Sequence, residues 1–209
     1  MKLYTCTGAP SPRRVTLYLA AKGIELETVE VDLRAGEHLS DDFAARSPDC
    51  TVPVLELDNG EHLFETGAIR RYLEELHPEP PMFGSSPESR AQINQWTDRV
   101  FAHGLLSVMD AFRNASPGFK DHALTGRRPV AQIPALAERA RDRYAGFLNL
   151  LDERLQSQEQ VGGAEFSVAD IDALVTIDFA ARAIRIAPDP QQTALSDWHQ
   201  RMRERFAEA

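Results

Sequence analysis

The chain has 209 residues, 43% of them hydrophobic and 26% charged, an ordinary composition for a soluble globular protein with one large domain or two small ones. Its 32 acidic and 23 basic residues give a net charge of -9, which argues against a nucleic-acid or anionic-membrane partner, because either would need a basic face. There is no apolar run for a membrane span, no visible signal peptide and no Cys-x-x-Cys motif, so we expect a cytoplasmic protein without structural disulfides.

The first third of the chain predicts alternating strands and helices. The patterns indicate a strand at Lys2–Tyr4, a helix at Pro12–Lys22 capped by Gly23, a strand at Glu27–Asp32 and a short helix at Ser40–Ala45. Two further short strands are predicted around a turn at residues 58–60, and a helix follows them. A β-α-β unit is therefore followed by a β-β-α unit, with the second pair of strands antiparallel.

The most informative stretch of the sequence is Val52-Pro53, followed later by Glu65-Thr66. A proline at the mouth of a strand ends the ladder of hydrogen bonds there. If the bond is cis, the N–H and C=O of Val52 face outward, unpaired, and can pair with an extended peptide. The helix that starts at Glu65-Thr66 suits a carboxylate, and Glu65 itself suits an ammonium group. Glutathione, a small peptide with an α-amino-acid head, would satisfy all three features.

A proline-rich segment separates this part from the rest of the chain. Residues 77–81 contain three prolines and cannot be helical, so we predict a linker at 77–87 between a domain at 1–76 and a domain at 88–209.

The second part predicts helices and no strands. Residues 116–129 are predicted as a loop, and Ser167 and Asp170 form a capping box for a central helix that ends near Ile184. Two apolar stripes at helical spacing lie on either side of the loop: Ile93, Trp96, Val100, Leu105, Val108 and Phe112, and then Leu136, Ala140, Tyr144, Phe147, Leu151 and Leu155.

Residues 1–83 resemble the thioredoxin-like half of a cytosolic glutathione transferase, and the likeness covers nearly the whole chain. The bacterial and fungal Gtt2-like subgroup is the most similar. The resemblance implies an α/β N-terminal thioredoxin-like domain with a mixed four-stranded sheet, an all-α C-terminal helical domain, glutathione as co-substrate and no metal. The motifs that carry it are Lys2-Leu3-Tyr4, Pro10-Ser11-Pro12-Arg13-Arg14-Val15, Gly36-Glu37-His38, Thr51-Val52-Pro53-Val54-Leu55 and Glu65-Thr66-Gly67-Ala68-Ile69.

The same resemblance implies a set of glutathione-binding residues. Val52 and Pro53 would hold the peptide, Glu65 and Thr66 the γ-glutamyl head, and His38 the glycyl carboxylate. Glu65 and Thr66 would also cap the helix, and His38 has the alternative of an ordinary surface histidine. Some relatives place a second histidine for the carboxylate where this chain has Cys50, but a thiol is a poor anion partner, and we interpret Cys50 as a small apolar filler.

The group that would activate the glutathione thiol is less clearly marked. By the match to relatives, the catalytic serine falls on Ala9, and both thiols of the glutaredoxin motif are absent from residues 9–12, which excludes dithiol redox chemistry there. Ser11 is the nearest remaining hydroxyl and the candidate catalytic residue. The interpretation we favour for Ser11 is nevertheless the N-cap of a helix that begins at Pro12.

The electrophile would lie against the second domain. The residues at the end of the first long helix combine an apolar wall with a few polar groups, which suits a small hydrophobic substrate, although ordinary core packing is the alternative. Arg113 would also stabilise a nearby thiolate. The predicted electrophile pocket comprises Ala9, Met109, Phe112, Arg113 and Ser116, with Asn114 and Phe119 close in sequence.

Three functions remain open from the sequence. The favoured one is glutathione transfer to a small hydrophobic electrophile by a homodimer. The alternatives are a non-catalytic glutathione-binding or regulatory protein, which the missing hydroxyl at Ala9 supports, and a monothiol redox protein that uses Cys6. For the dimer, Arg70, Arg71 and the stripe at 90–99 offer charge and apolar surface.

Overall fold

The structure, a computed structural model, describes residues 1–207 and divides into two compact units. The first unit comprises Met1–Pro80 together with the separate segment Leu124–Pro129. The second unit comprises the other described residues.

The first unit is a four-stranded mixed sheet with helices, as the sequence predicted. Its strands lie in the order β2-β1-β3-β4, with β1 parallel to β2 and antiparallel to β3, and β3 antiparallel to β4. The elements are β1 (Lys2–Thr5), α1 (Pro10–Lys22), β2 (Glu27–Glu30), α2 (Asp41–Ala44), β3 (Val54–Glu56), β4 (His62–Phe64) and α3 (Thr66–Leu76).

Local sequence signals set several of these boundaries. Gly23 has a φ of 65° and ends α1, because a residue without Cβ adopts the left-handed conformation at low cost. Ser40 begins α2, where its hydroxyl accepts a hydrogen bond from the N–H of Phe43. Leu3, Leu55 and Ile69 are fully buried, so the sheet and α3 share one core.

The second unit is helical, and both predicted apolar stripes lie in its helices. A continuous helical segment runs through α4 and α5, joined by a π-helical turn at Val100–Leu105. A Cβ on Gly104, in this turn, would lie 2.7 Å from the Phe147 ring, so only glycine permits the observed approach. The helices are α4 (Pro87–Arg99), α5 (Leu106–Ala115), α6 (Pro134–Leu155), α7 (Val168–Ala183) and α8 (Thr193–Arg205).

Two features of the structure differ from the sequence-based interpretation. Helix α8 was not predicted, because its buried residues Leu195, Trp198 and Met202 are few and widely spaced among polar ones. Arg70 is only 2% exposed, so it does not offer the surface charge that we predicted for a dimer interface. No helix within residues 1–207 is long and apolar enough to span a bilayer.

Candidate functional site

Val52 and Pro53 lie just before β3, and the peptide bond between them is cis. Within residues 1–207, neither the N–H nor the C=O of Val52 makes a main-chain hydrogen bond. The side chain of Val52 is buried in a cluster with Val31, Phe43 and Val54. The main chain of Val52 is thus held in place by its side chain, while its polar groups are unpaired.

The sheet places different residues on the two sides of Val52. Pro53 directly precedes β3 and Glu65 directly follows β4, and because Val54 pairs with Phe64 these two residues lie at the same end of the two antiparallel strands. The register of β1 and β3 puts the loop that follows β1, which contains Cys6, on the other side. Val52 and Pro53 therefore lie at the same end of the sheet as Glu65 and Thr66.

Glu65 and Thr66 lie at the start of α3, but the capping role also predicted for them is wrong, since no side chain caps this helix. Glu65 is exposed, with φ 73° and ψ 119°, and its carboxylate makes no capping hydrogen bond. Thr66 is buried, and its hydroxyl donates to the carbonyl oxygen of Ser11 at 3.2 Å. The first N–H groups of α3 are left without helical partners, which makes this helix start a suitable place for an anion.

Ser11 is the second residue of α1, so the predicted N-cap role is wrong. The helix begins two residues earlier than predicted, with Ala9 at the N-cap position and no side-chain cap. Pro10 and Pro12 have no N–H group, so the N–H of Ser11 is the one free donor in the first three helical positions. The Ser11 hydroxyl makes no hydrogen bond within residues 1–207, and it lies at the positive end of the helix dipole.

The structure does not favour the cysteine-based alternative. Cys6 is half-buried. Burial raises the pKa of its thiol, and the nearby Glu30 carboxylate raises it further. A reactive cysteine needs the opposite shift, because the thiolate is the nucleophile.

His38 and Cys50 both precede Val52 in the chain, by 14 and 2 residues respectively. His38 is half-buried in a 3₁₀ turn at Glu37–Leu39, and Cys50 is only 2% exposed, which agrees with the interpretation as a filler. The N–H of Cys50 donates to the carbonyl oxygen of Ser47 at 2.8 Å, and this bond helps to fix the loop that leads into Val52.

In the second unit, the C-terminal end of α5 brings together four residues predicted for the electrophile: Met109, Phe112, Arg113 and Ser116. Phe112 makes edge-to-face contacts with Phe119 and Phe179, at centroid distances of 5.1 and 5.8 Å. Ala9, the fifth predicted residue, belongs to the first unit.

Arg113 is held by main-chain carbonyls. Its guanidinium donates to the carbonyl oxygens of Ala123 and His122, at 3.0 and 2.8 Å, and lies 4.5 Å from the centroid of the Phe119 ring. Burial lowers the pKa of Arg113. This side chain is therefore positioned by its own unit.

Among residues 1–207, no group of three or more potential ligands could hold a metal ion.

Comparison with known proteins gives a consistent result. The models that match describe the glutathione S-transferase N-terminal domain, over residues 9–76, and the glutathione S-transferase C-terminal domain, over residues 114–205. Glutathione S-transferase 2 of Saccharomyces cerevisiae is 30% identical over 207 residues, which cover 98% of this chain and 86% of that protein.

The similarity to solved structures likewise covers nearly the whole chain. A glutathione S-transferase domain-containing protein from Marinobacter aquaeolei superimposes with a TM-score of 0.90 at 34% identity, covering 98% of both chains. Gtt2 from Saccharomyces cerevisiae superimposes with a TM-score of 0.88 at 30% identity, covering 97% of this chain and 96% of that one.

Proposed function

Because this chain belongs to the glutathione S-transferase family, we propose that it binds glutathione on its first unit and activates the thiol for attack on small hydrophobic electrophiles. The observation that carries the proposal is the unpaired main chain of Val52 beside the start of α3. An extended peptide that pairs with Val52 gains main-chain hydrogen bonds, as in the addition of a strand to a sheet edge.

The head of the peptide would bind at Glu65 and Thr66. The exposed carboxylate of Glu65 attracts the ammonium group of the γ-glutamyl residue. The carboxylate of that γ-glutamyl residue accepts hydrogen bonds from the free N–H groups at the start of α3 and interacts with the helix dipole. His38 is the proposed polar contact for the glycyl end.

The thiol would be activated at the start of α1. A free thiol has a pKa of about 8.5, so a transferase must stabilise the thiolate at neutral pH. Ser11 provides an N–H and a hydroxyl that have no partners within residues 1–207, at the positive end of the α1 dipole. Both groups donate hydrogen bonds to the thiolate. Such bonds stabilise the charged form and therefore lower the pKa of the glutathione thiol.

For the electrophile we propose the second-unit residues Met109, Phe112, Arg113 and Ser116. The aromatic contacts of Phe112 provide apolar surface, and the few polar groups among these residues would orient a substrate. The chemical step is attack of the thiolate sulfur on the electrophilic carbon, with departure of the substrate's own leaving group.

A second candidate function is a non-catalytic glutathione-binding protein. Alanine at position 9, where serine-type relatives carry the catalytic hydroxyl, favours it. The two candidates predict the same binding site and differ only in turnover.

Calorimetry and a conjugation assay with an aromatic halide distinguish the possibilities. Saturable glutathione binding with turnover, reduced by Ser11→Ala through a rise in the pKa of the pH–rate profile, supports the transferase. Binding without turnover on a broad panel of electrophiles supports the second candidate. No binding at millimolar glutathione contradicts both.

We further propose that the protein is a cytoplasmic homodimer. The chain carries two free cysteines, one of them buried, which suits a reducing compartment in which glutathione is abundant.

A further inference from the structure

The segment Leu124–Pro129 clusters with the first unit, although the residues before and after it belong to the second. Gly126 lies in this segment with a φ of 93°, and a Cβ on it would be 3.7 Å from the carbonyl oxygen of Asp49. The segment therefore lies against the loop that contains Asp49 and Cys50, shortly before Val52.

The side chain of Arg127 extends from this segment to two residues of the first unit. Its Nη1 donates to Oδ1 of Asp41, the first residue of α2, at 2.8 Å. Hydrogen bonding to Asp41 raises the pKa of Arg127, and the Cys50 thiol contributes in the same direction. The guanidinium thus lies beside Asp41, and its segment lies near Asp49, the residue before Cys50.

This position is on the side of Val52 that faces away from Glu65. Phe43 of α2 packs in the same cluster as Val52, together with Val54 of β3 and Val31, which directly follows β2. Glu65 and α3 follow β4, at the opposite edge of the sheet. A tripeptide paired with Val52, with its γ-glutamyl head at Glu65, would therefore direct its glycyl end toward α2.

We propose that Arg127 binds the glycyl carboxylate of glutathione, at the corner where Cys50 cannot serve as an anion partner. The proposal rests on the function proposed above. A guanidinium has five N–H donors in a planar fork that matches a carboxylate, and Asp41 occupies one of its nitrogen atoms. The Arg127 side chain is 43% exposed and that of Asp41 is 98% exposed, so their ion pair is weak enough to rearrange.

Calorimetry with two ligands tests the assignment. Wild type, Arg127→Ala and Arg127→Lys are titrated with glutathione and with its glycyl ethyl ester, which lacks the terminal charge. Arg128→Ala is the matched control, because Arg128 is the exposed neighbour in the same segment. Thermal unfolding of each variant confirms that it is folded.

We expect Arg127→Ala to weaken glutathione binding ~10-fold, the scale of a charge-assisted hydrogen-bond pair. Wild type should bind the ester more weakly by a similar factor, whereas Arg127→Ala should bind both ligands alike, since the two changes remove the same interaction. Arg127→Lys should recover part of the affinity, and Arg128→Ala should match wild type.

Three outcomes would overturn the assignment. Arg127→Ala binding glutathione as wild type does, or losing affinity equally for both ligands, shows that Arg127 does not contact the glycyl carboxylate, while the proposed function stands. An equal loss in Arg128→Ala points to general electrostatic attraction instead. If wild type binds neither ligand, the proposed function itself fails.

Discussion

At the scale of single residues, Glu65 is one of the non-glycine residues with a positive φ. A φ of 73° is rare for a residue with a Cβ and costs of the order of 1–3 kcal/mol. Its carboxylate caps no helix and stays exposed. A residue that is kept in an unfavourable conformation without a structural contact is a candidate for ligand binding.

Replacing Glu65 with glycine should therefore separate binding from stability. Glu65→Gly removes the steric cost of the positive φ and the carboxylate together, so the melting temperature should not fall while the Kd for glutathione rises ~10-fold or more. Glu75→Gly is the control, because Glu75 is exposed in the same helix and glycine there costs up to ~1 kcal/mol. A destabilised Glu65→Gly, or one with unchanged affinity, contradicts this role.

Cys6 provides a second prediction at this scale. Because burial and Glu30 raise the pKa of the Cys6 thiol, its thiolate is scarce at neutral pH. In a Cys50→Ser background, the alkylation rate by iodoacetamide should increase with pH to a midpoint above that of free cysteine, and Cys6→Ser should retain glutathione conjugation. An alkylation midpoint below about pH 7 would support the monothiol redox function instead.

The site around Val52 could be predicted as a hypothesis from the sequence, because a proline between two apolar runs and an acid before a helix are local patterns. It did not show Arg127, which lies far along the chain from Asp41 and is brought to it by the fold alone. The position of Ser11 was misjudged because either proline, Pro10 or Pro12, could occupy the first turn of α1.

At the scale of elements, Asp170 connects the start of α7 with its surroundings. Its carboxylate accepts hydrogen bonds from the N–H of Val161, at 2.8 Å, and from the N–H and hydroxyl of Ser167, at 2.9 and 3.0 Å. The indole N–H of Trp198, in α8, lies 3.3 Å from the same group. The capping box was predicted from the sequence, but the links to Val161 and Trp198 depend on tertiary packing.

Substitution of Asp170 should be costly, because the residue is fully buried. Asp170→Asn places an amide donor opposite existing donors, and we expect a loss of about 2–4 kcal/mol in the free energy of unfolding at pH 7. Ser86→Ala, in the partly exposed capping box of α4, should cost about 1 kcal/mol. Urea unfolding measures both, and an equal cost would show that Asp170 acts only as a cap.

Wild type and Asp170→Asn should also differ in how their stability depends on pH. Burial raises the pKa of Asp170 to about 6, whereas an aspartate in an unfolded chain titrates near ~3.9. Between these two pKa values the native state holds the proton on Asp170 and the unfolded state does not. Proton binding therefore stabilises the native state, fully so below the pKa of the unfolded chain. This stabilisation is lost as the pH rises through the pKa of the native state.

Asparagine does not titrate, so the difference in unfolding free energy between wild type and Asp170→Asn should shrink as the pH rises from about 4 to about 7. Unfolding curves at several pH values across this window provide the measurement. A difference that grows with pH would show that the carboxyl titrates in the opposite sense.

At the scale of the whole molecule, the order of most elements was predictable, since most helices have a hydrophobic period and the short strands lie between turn signals. The grouping of Leu124–Pro129 with the first unit was not predictable, because the segment contains no such period and the residues on either side of it belong to the second unit. Surface composition is also informative: Phe64 lies on the edge strand β4 and is 39% exposed.

An exposed aromatic residue on an edge strand is typical of an interface, and it supports the proposed homodimer. Sedimentation at micromolar concentration should give twice the chain mass, and Phe64→Glu should shift the protein toward monomer. Leu124→Glu, at a comparably exposed apolar residue outside the sheet, is the control. A monomer mass for wild type contradicts the dimer.

The most direct test of the central claim is a crystal structure grown with glutathione. We expect the cysteinyl main chain paired with the N–H and C=O of Val52 and the γ-glutamyl head at Glu65 and the start of α3. Glutathione bound elsewhere on the chain, or a vacant Val52 edge in crystals soaked at millimolar glutathione, would contradict the account.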